Sequence, residues 1–251
     1  MNDKFSPNPL INKKHKETFI KNLSIDNIKL NNVTIDDLNL KSDESNFKEY
    51  YTLKFLLDNV SSCQFSDAYL KIAKKSPAIY NLDSINNQKT YGKIFTCKTN
   101  HDDWGTSAIA IDKIDAGNIL FILVDSDESA IWGEIASLAA IEKGVKACAI
   151  YGSCRDVDVL YDLEFPIFAL NNVSNAGSPL GLGEFNDFIN VDGRKIANND
   201  FFFGDENGVV VIEKTLFKDV IFETLNIKLK ESEYISMVNQ GISLSQITNL
   251  K

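Results

Sequence analysis

Two apolar runs constrain this chain more than any other feature: Asn118-Ile-Leu-Phe-Ile-Leu-Val124 and Val145-Lys-Ala-Cys-Ala-Ile-Tyr151. Short runs that are apolar almost throughout fit strands with both faces covered. Between them, from Ala130, lies a stretch with apolar residues at Ile131, Ile135, Leu138, Ala139 and Ile141. That spacing predicts a helix, which Gly144 should stop. Gly152 is expected to end the second strand, and the loop beyond it carries Arg155 beside Asp156. Loops that leave buried strands are common places for sites. The pair is therefore either a site or a surface ion pair.

The remaining chain supplies the layers that would cover such strands. Phe47 to Leu57 reads as a helix, and Gln64-Phe-Ser-Asp-Ala68 opens another with Ser66 as its N-cap. Tyr91–Cys97 alternates as a strand, Trp104–Ile114 looks helical, and Val157–Leu163 reads as a short helix before the strand 166–170. From Phe188 the period changes. Phe188–Val191, an Asp192-Gly193 turn and Arg194–Ile196 read as a hairpin, followed by Asp200–Phe203 and Val209–Ile212 around a turn at 204–208. Residues 214–240 form a long helix that Gly241 should stop. Strands alternating with helices first, then hairpins, predict an α/β core carrying an antiparallel layer. Residues 47–251 show no linker and read as one domain. Residues 1–46 form a polar extension without glycine, in which 22–41 fall into four five-residue units. Four such units cannot bury a core of their own, so short extended segments lying on the main domain or a neighbouring subunit are the simpler reading.

Charge and residue chemistry narrow the function. A net charge of −9 argues against nucleic acid or an anionic membrane as partner. No apolar run approaches the roughly 18 residues of a membrane span, and the N-terminus lacks a secretory core, so the cytoplasm is the default. The cysteines, Cys63, Cys97, Cys148 and Cys154, have no CxxC spacing, which argues against zinc. Three of them read as core. Cys154, beside Arg155, is either a nucleophile or a small packing residue, and a thiolate would need a basic partner. With only His15 and His101 available, any metal site must be built from carboxylates. That favours a hard ion, Mg²⁺ or Mn²⁺.

Several pieces in order resemble the family of RraA-like proteins (regulator of ribonuclease E activity A). These are Ser66-Asp67-Ala68, Trp132-Gly133-Glu134, Tyr151-Gly-Ser-Cys-Arg-Asp156, Phe165-Pro-Ile-Phe-Ala169, Gly204-Asp-Glu-Asn-Gly-Val-Val-Val211 and Glu231. The family includes class II 4-hydroxy-4-methyl-2-oxoglutarate/4-carboxy-4-hydroxy-2-oxoadipate aldolases, whose signature is an acidic residue, twenty positions and Arg-Asp. Glu134 and Arg155-Asp156 match that spacing. The resemblance implies a layered β/β/α, swivelling-domain-like core with a C-terminal helix, assembled as homotrimers or hexamers. It also implies a lyase acting on a small 2-oxo acid through a pyruvate enolate, with oxaloacetate decarboxylation as a side activity. The chain departs from the aldolase pattern at Glu134, where Asp is usual, and at Tyr151, where the version with tyrosine is closer to the ribonuclease-regulator branch. The alternative is thus a non-enzymatic regulator that binds a protein partner. No GxGxG loop supports a methyltransferase.

The resemblance assigns roles that the residue types can fill. Arg155 offers a permanently charged fork for a carboxylate or developing enolate. Asp156 would hold the divalent ion. The start of the helix, with the amides of Glu134, Ile135 and Ala136 after Gly133, would take the substrate carboxylate, and Glu134 would hold metal-bound water. Glu231 would reach the neighbouring subunit's site. The simpler readings are a helix-dipole carboxylate for Glu134, a surface pair for Glu231 and a helix cap for Ser66-Asp67.

Overall fold

The computed structural model describes residues 35–39 and 47–250. In chain order the helices are α1 (Phe47–Asn59), α2 (Ser62–Ala73), α3 (Gly105–Lys113), α4 (Glu134–Lys143), α5 (Val157–Leu160), α6 (Phe217–Asn239) and α7 (Leu244–Ile247). The strands are β1 (Ala78–Ile79), β2 (Asp83–Ser84), β3 (Thr90–Thr99), β4 (Ile119–Val124), β5 (Ala130–Trp132) and β6 (Ala147–Cys154). After them come β7 (Ile167–Asn172), β8 (Phe188–Val191), β9 (Arg194–Ala197), β10 (Phe201–Asp205) and β11 (Gly208–Ile212).

Nine strands make one sheet in the order β1-β11-β10-β3-β4-β6-β7-β2, with β5 added on β6. Its two halves differ in kind, and β3 joins them. Thr90–Lys93 pair antiparallel with β10, whereas Ile94–Thr99 pair in parallel with β4. β4, β6 and β7 continue the parallel half, as their apolar runs require. β11 also approaches β2, so the two ends of the sheet curl toward each other. The hairpin β8–β9 stands apart as a second small sheet, with Asp192 and Gly193 both at positive φ in its turn.

Three apolar layers follow. α2 and α6, joined by Leu53, Leu57 and Val60 of the α1 region, pack on one face of the antiparallel half. α3 and α4 cover the outer face of the parallel half, over Leu120, Ile122, Cys148 and Ile150. The curled inner face holds Phe121, Ala149, Phe168, Phe202 and the hairpin's Ile189 and Ile196. The run Phe201-Phe-Phe203 shows the pleat at work, because alternate side chains enter opposite layers. Phe203 packs tilted against Phe65, with centroids 4.7 Å apart, while Phe202 meets Phe168 at 5.4 Å. This is a mixed α/β arrangement, in line with the layered core that the family resemblance implies.

The structure corrects several local expectations. Ala130–Trp132 is a strand, not the start of a helix, and Gly133 is the N-cap of α4. Three apolar residues are too few to show a period, and pairing with β6 decides their state. β6 does not end at Gly152 but runs on to Cys154. There the missing side chain admits Val124, since a Cβ at Gly152 would lie 2.5 Å from its Cγ2. α2 begins at Ser62, so Ser66 and Asp67 lie inside it and cap nothing. The cap is Ser61, whose amide donates to Gln64 Oε1 at 2.6 Å, while the Ser62 amide and hydroxyl both reach the Asp205 carboxylate. Cys63 is exposed, not core.

The apolar stripe of α4 gives the largest correction. Ile135 is 81% exposed, and Leu138 and Ile141 are also exposed, while the buried positions are Ser137 and Ala140. Small residues let α4 lie close over the sheet, and its large apolar residues face outward. Of the five-residue units at 22–41, only 35–39 are described. They form a 3₁₀ turn rather than an extended segment, with Ile35 and Leu38 against the α2–α6 layer. The rest of the extension lies outside the described residues.

Candidate active site

The parallel half brings β5 and the end of β6 side by side, and this register places the sequence-predicted residues together. The Arg155 amide donates to the Trp132 carbonyl at 3.0 Å, which fixes the loop after β6 against the turn that starts α4. Asp156 takes a left-handed φ of 59°, a conformation that Asp tolerates, and its carbonyl begins α5. Its carboxylate turns back to α4, where Oδ2 accepts from the Glu134 amide at 3.1 Å. Asp156 thus satisfies one of the free donors of the helix from another element, in place of a side-chain cap at Gly133.

Gly133 leaves room for this. A Cβ there would sit 2.4 Å from Asp156 Oδ2 and 3.2 Å from Arg155 Cγ. Behind it, the buried Trp132 indole donates to Ser137 Oγ at 2.8 Å, and that hydroxyl reaches the Gly133 carbonyl at 2.9 Å. Ser137→Ala should therefore leave a buried indole N–H unpaired and cost about 1–3 kcal/mol. Urea denaturation reads this as a lower midpoint at constant slope, and an unchanged midpoint would refute it.

Arg155 Nε lies 3.7 Å from Asp156 Oδ2, with both side chains partly exposed. A pair of that length and exposure contributes little to stability. The two residues instead form one end of a cleft of about 290 Å³ that also includes Gly133, Ile135 and Ala136. Its other wall comes from Trp104, Ala108, Ile111 and Asp112 around α3. The sequence reading gave Trp104 and Asp112 no role, because nothing in the order of residues places α3 beside α4.

Asp103, next to Trp104, holds this wall in place. Its buried carboxylate accepts from the amides of Leu180, Gly181 and Leu182 at 3.0, 2.7 and 2.8 Å, and from the Thr106 hydroxyl at 2.7 Å. Burial alone would raise its pKa, but the Gly181 amide, the Thr106 hydroxyl and the Leu182 amide outweigh it and hold the carboxyl at about 2. The loop after β7 is thereby anchored on the start of α3.

Not every predicted residue joins the cleft. Glu134 contributes its amide to Asp156, but its side chain is not among the residues that line the cleft. Glu231 is on α6, where it accepts from Gln64 Nε2 at 2.6 Å within the same chain. Cys154 is fully buried, and burial pushes its thiol up to about 11, so it packs rather than attacks. Tyr151 donates to Asp192 Oδ2 at 2.5 Å in the β8–β9 turn, and burial with that carboxylate pushes it to about 12. Tyr151, one of the two departures from the aldolase pattern, therefore faces the hairpin and does not line the cleft. His101 pairs with Asp125 at 3.0 Å, and that hydrogen bond raises its pKa.

Among the described residues, no group of three His, Cys, Asp or Glu side chains is placed to hold a metal ion. Asp156 is the carboxylate at the head of the cleft, with one oxygen committed to the Glu134 amide. A single carboxylate suits a hard ion that keeps most of its waters, as Mg²⁺ does. The space that Gly133 leaves open preserves the position of that carboxylate, so the residues present fit such an ion.

The family model described as RraA-like (Aldolase/RraA) matches residues 62–211. The chain belongs to the RraA-like family. An uncharacterized protein from Methanocaldococcus jannaschii is 39% identical over 173 residues, covering 66% of this chain and 82% of its own. A protein of Pseudomonas paraeruginosa that carries the name 4-hydroxy-4-methyl-2-oxoglutarate aldolase as an unproven assignment is 28% identical over 128 residues, covering 50% of this chain and 77% of its own. Among solved structures, an uncharacterized protein from Pseudomonas syringae pv. tomato superposes with a TM-score of 0.67 at 20% identity, over 79% of this chain and 97% of that one. The RNA-processing inhibitor RraA from Thermus thermophilis gives a TM-score of 0.52 at 21% identity, over 59% of this chain and 91% of its own. The RraA-like fold is thus shared by proteins named as aldolases and by inhibitors of RNA processing. Among the described residues no helix is long and apolar enough to cross a membrane.

Proposed function

We propose that this protein is a divalent-metal-dependent lyase that cleaves a carbon–carbon bond of a small 2-oxo acid, by retro-aldol cleavage or decarboxylation. The carrying observation is the meeting of Arg155, Asp156 and the first turn of α4 at the head of one cleft. Arg155 supplies the cation for the substrate carboxylate and for negative charge that develops on the 2-oxo oxygen. The amides of Ile135 and Ala136, in a first turn without intrahelical acceptors, offer further donors to an anion. Bound at Asp156, Mg²⁺ or Mn²⁺ would polarise the 2-oxo group as a Lewis acid. Gly133 keeps Asp156 in position, and the α3 wall shields the reacting carbons from water.

On this reading the working unit is cytoplasmic, with residues 47–251 as its RraA-like domain and residues 1–46 as an extension. The exposed Leu138 and Ile141 favour assembly into a homotrimer or hexamer through α4. Glu231 would act on a neighbouring site only after releasing Gln64. With Mg²⁺ present, pyruvate release from oxaloacetate and from 4-hydroxy-4-methyl-2-oxoglutarate should fall at least about 100-fold in Arg155→Ala, a loss of about 2.7 kcal/mol of transition-state stabilisation. Equal rates for variant and parent would sink the lyase reading. The same exposed apolar face supports a second reading, a regulator that binds a ribonuclease or another protein. Capture of a partner that is indifferent to Arg155→Ala would favour it.

A further inference from the structure

We propose that the cleft selects 2-oxo acids whose far end is apolar and uncharged, rather than diacids of the kind for which the relatives are named. This rests on the lyase reading and adds the substrate class to it. A 2-oxo acid held by its carboxylate at Arg155 must direct its other end along the space between α3 and α4. The walls there are Trp104, Ala108, Ile111, Ile135 and Ala139. Among the described residues that line the cleft Arg155 is the one cation, and it is taken by the first carboxylate. The other ionisable groups in the lining are Asp156 and Asp112, both acidic. Lys143 comes near Asp112, but its amine donates to the main-chain carbonyl of Asp112 at 3.1 Å and does not line the cleft.

A second carboxylate on the substrate would therefore exchange water for aromatic and aliphatic wall without a partner, and it would lie near the like charge of Asp112. A branched alkyl or aryl end would meet dispersion contacts and lose only unfavourable hydration. The reaction balances without a co-reactant. In a 4-hydroxy-2-oxo acid the C3–C4 bond breaks and the hydroxyl at C4 becomes a carbonyl. The electron pair goes to C3 through the 2-oxo group, and the hydroxyl proton ends on C3 to give pyruvate.

The test uses near-isosteric acids. With Mg²⁺ present, calorimetry should show 5-methyl-2-oxohexanoate binding at least about 10-fold more tightly than 2-oxoglutarate, in which a carboxylate replaces the isopropyl end. In turnover, kcat/KM for 4-hydroxy-4-methyl-2-oxopentanoate should exceed that for 4-hydroxy-4-methyl-2-oxoglutarate by a similar factor. Asp112→Lys should raise 2-oxoglutarate binding about 10-fold relative to that of the branched acid. Equal or tighter binding of 2-oxoglutarate by the parent protein would overturn the assignment while the lyase reading stands. If neither acid binds and no pyruvate is released, the site itself has been misread and both fall.

Discussion

Gly133→Ala is expected to abolish turnover while the fold persists. The new methyl would lie 2.4 Å from Asp156 Oδ2, a contact that atoms do not tolerate. The nearest relief is for the Asp156 side chain to swing away, because its carboxylate is the movable partner and the backbone is held by Arg155 N to Trp132 O. That swing breaks the bond to the Glu134 amide and displaces the group proposed to bind the ion. A loss of about 100-fold or more in pyruvate release is expected, against a stability loss of only about 1–2 kcal/mol. Near-parental activity at unchanged metal dependence would show that the placement of Asp156 does not matter to the chemistry. Asp156→Asn is the companion variant: asparagine tolerates the left-handed backbone and can still accept from the Glu134 amide, so it isolates the charge.

The other large effect falls on stability. Asp103→Asn should cost about 3–5 kcal/mol, because the new amide nitrogen would replace one buried acceptor and face either the amides of Leu180 and Gly181 or that of Leu182. For a chain of this size that is a fall of roughly 10 °C in Tm. The same carboxyl shapes the acid limb. Its folded pKa of about 2 is below the ordinary carboxyl value of 3.8, so the folded state favours the charged form. The stability this provides, on the order of 2 kcal/mol, is fully present above about pH 4 and is lost as pH falls toward 2. Asp103→Asn should flatten that part of the stability-against-pH profile. An unchanged acid limb with unchanged Tm would disprove the anchoring role.

Much of this was legible in the sequence for identifiable reasons. The apolar runs at 118–124 and 145–151 read as strands with both faces covered, and Asp192-Gly193 as a hairpin turn. Arg155 and Asp156 were found because a buried strand ends just before them. What stayed hidden were tertiary decisions. Ala130–Trp132 became a strand because β6 had a free edge there. Ile135, Leu138 and Ile141 look like a core face by spacing alone, and only the close approach of Ser137 and Ala140 turns them outward. Asp112 and Trp104 entered the cleft through the packing of α3 on α4, which no local pattern announces. Ser61 escaped notice as a cap although Gln64 stood at the right distance.

The shared strand β3 has a consequence for how the molecule is made. Its second half finds β4 soon after synthesis, since Ile94 pairs with Ile119. Its first half waits for β10, where Lys93 pairs with Phe201. At about 5–20 residues per second, the roughly 110 residues between them take about 5–20 s to emerge from a ribosome. In the later part of that interval, once Cys154 has been made, the nascent chain can carry a paired parallel half, including the strands that frame the cleft, beside a bare strand edge open to other chains. Translation halted before Phe201 would release a chain with its cleft strands assembled and its aggregation-prone edge unprotected.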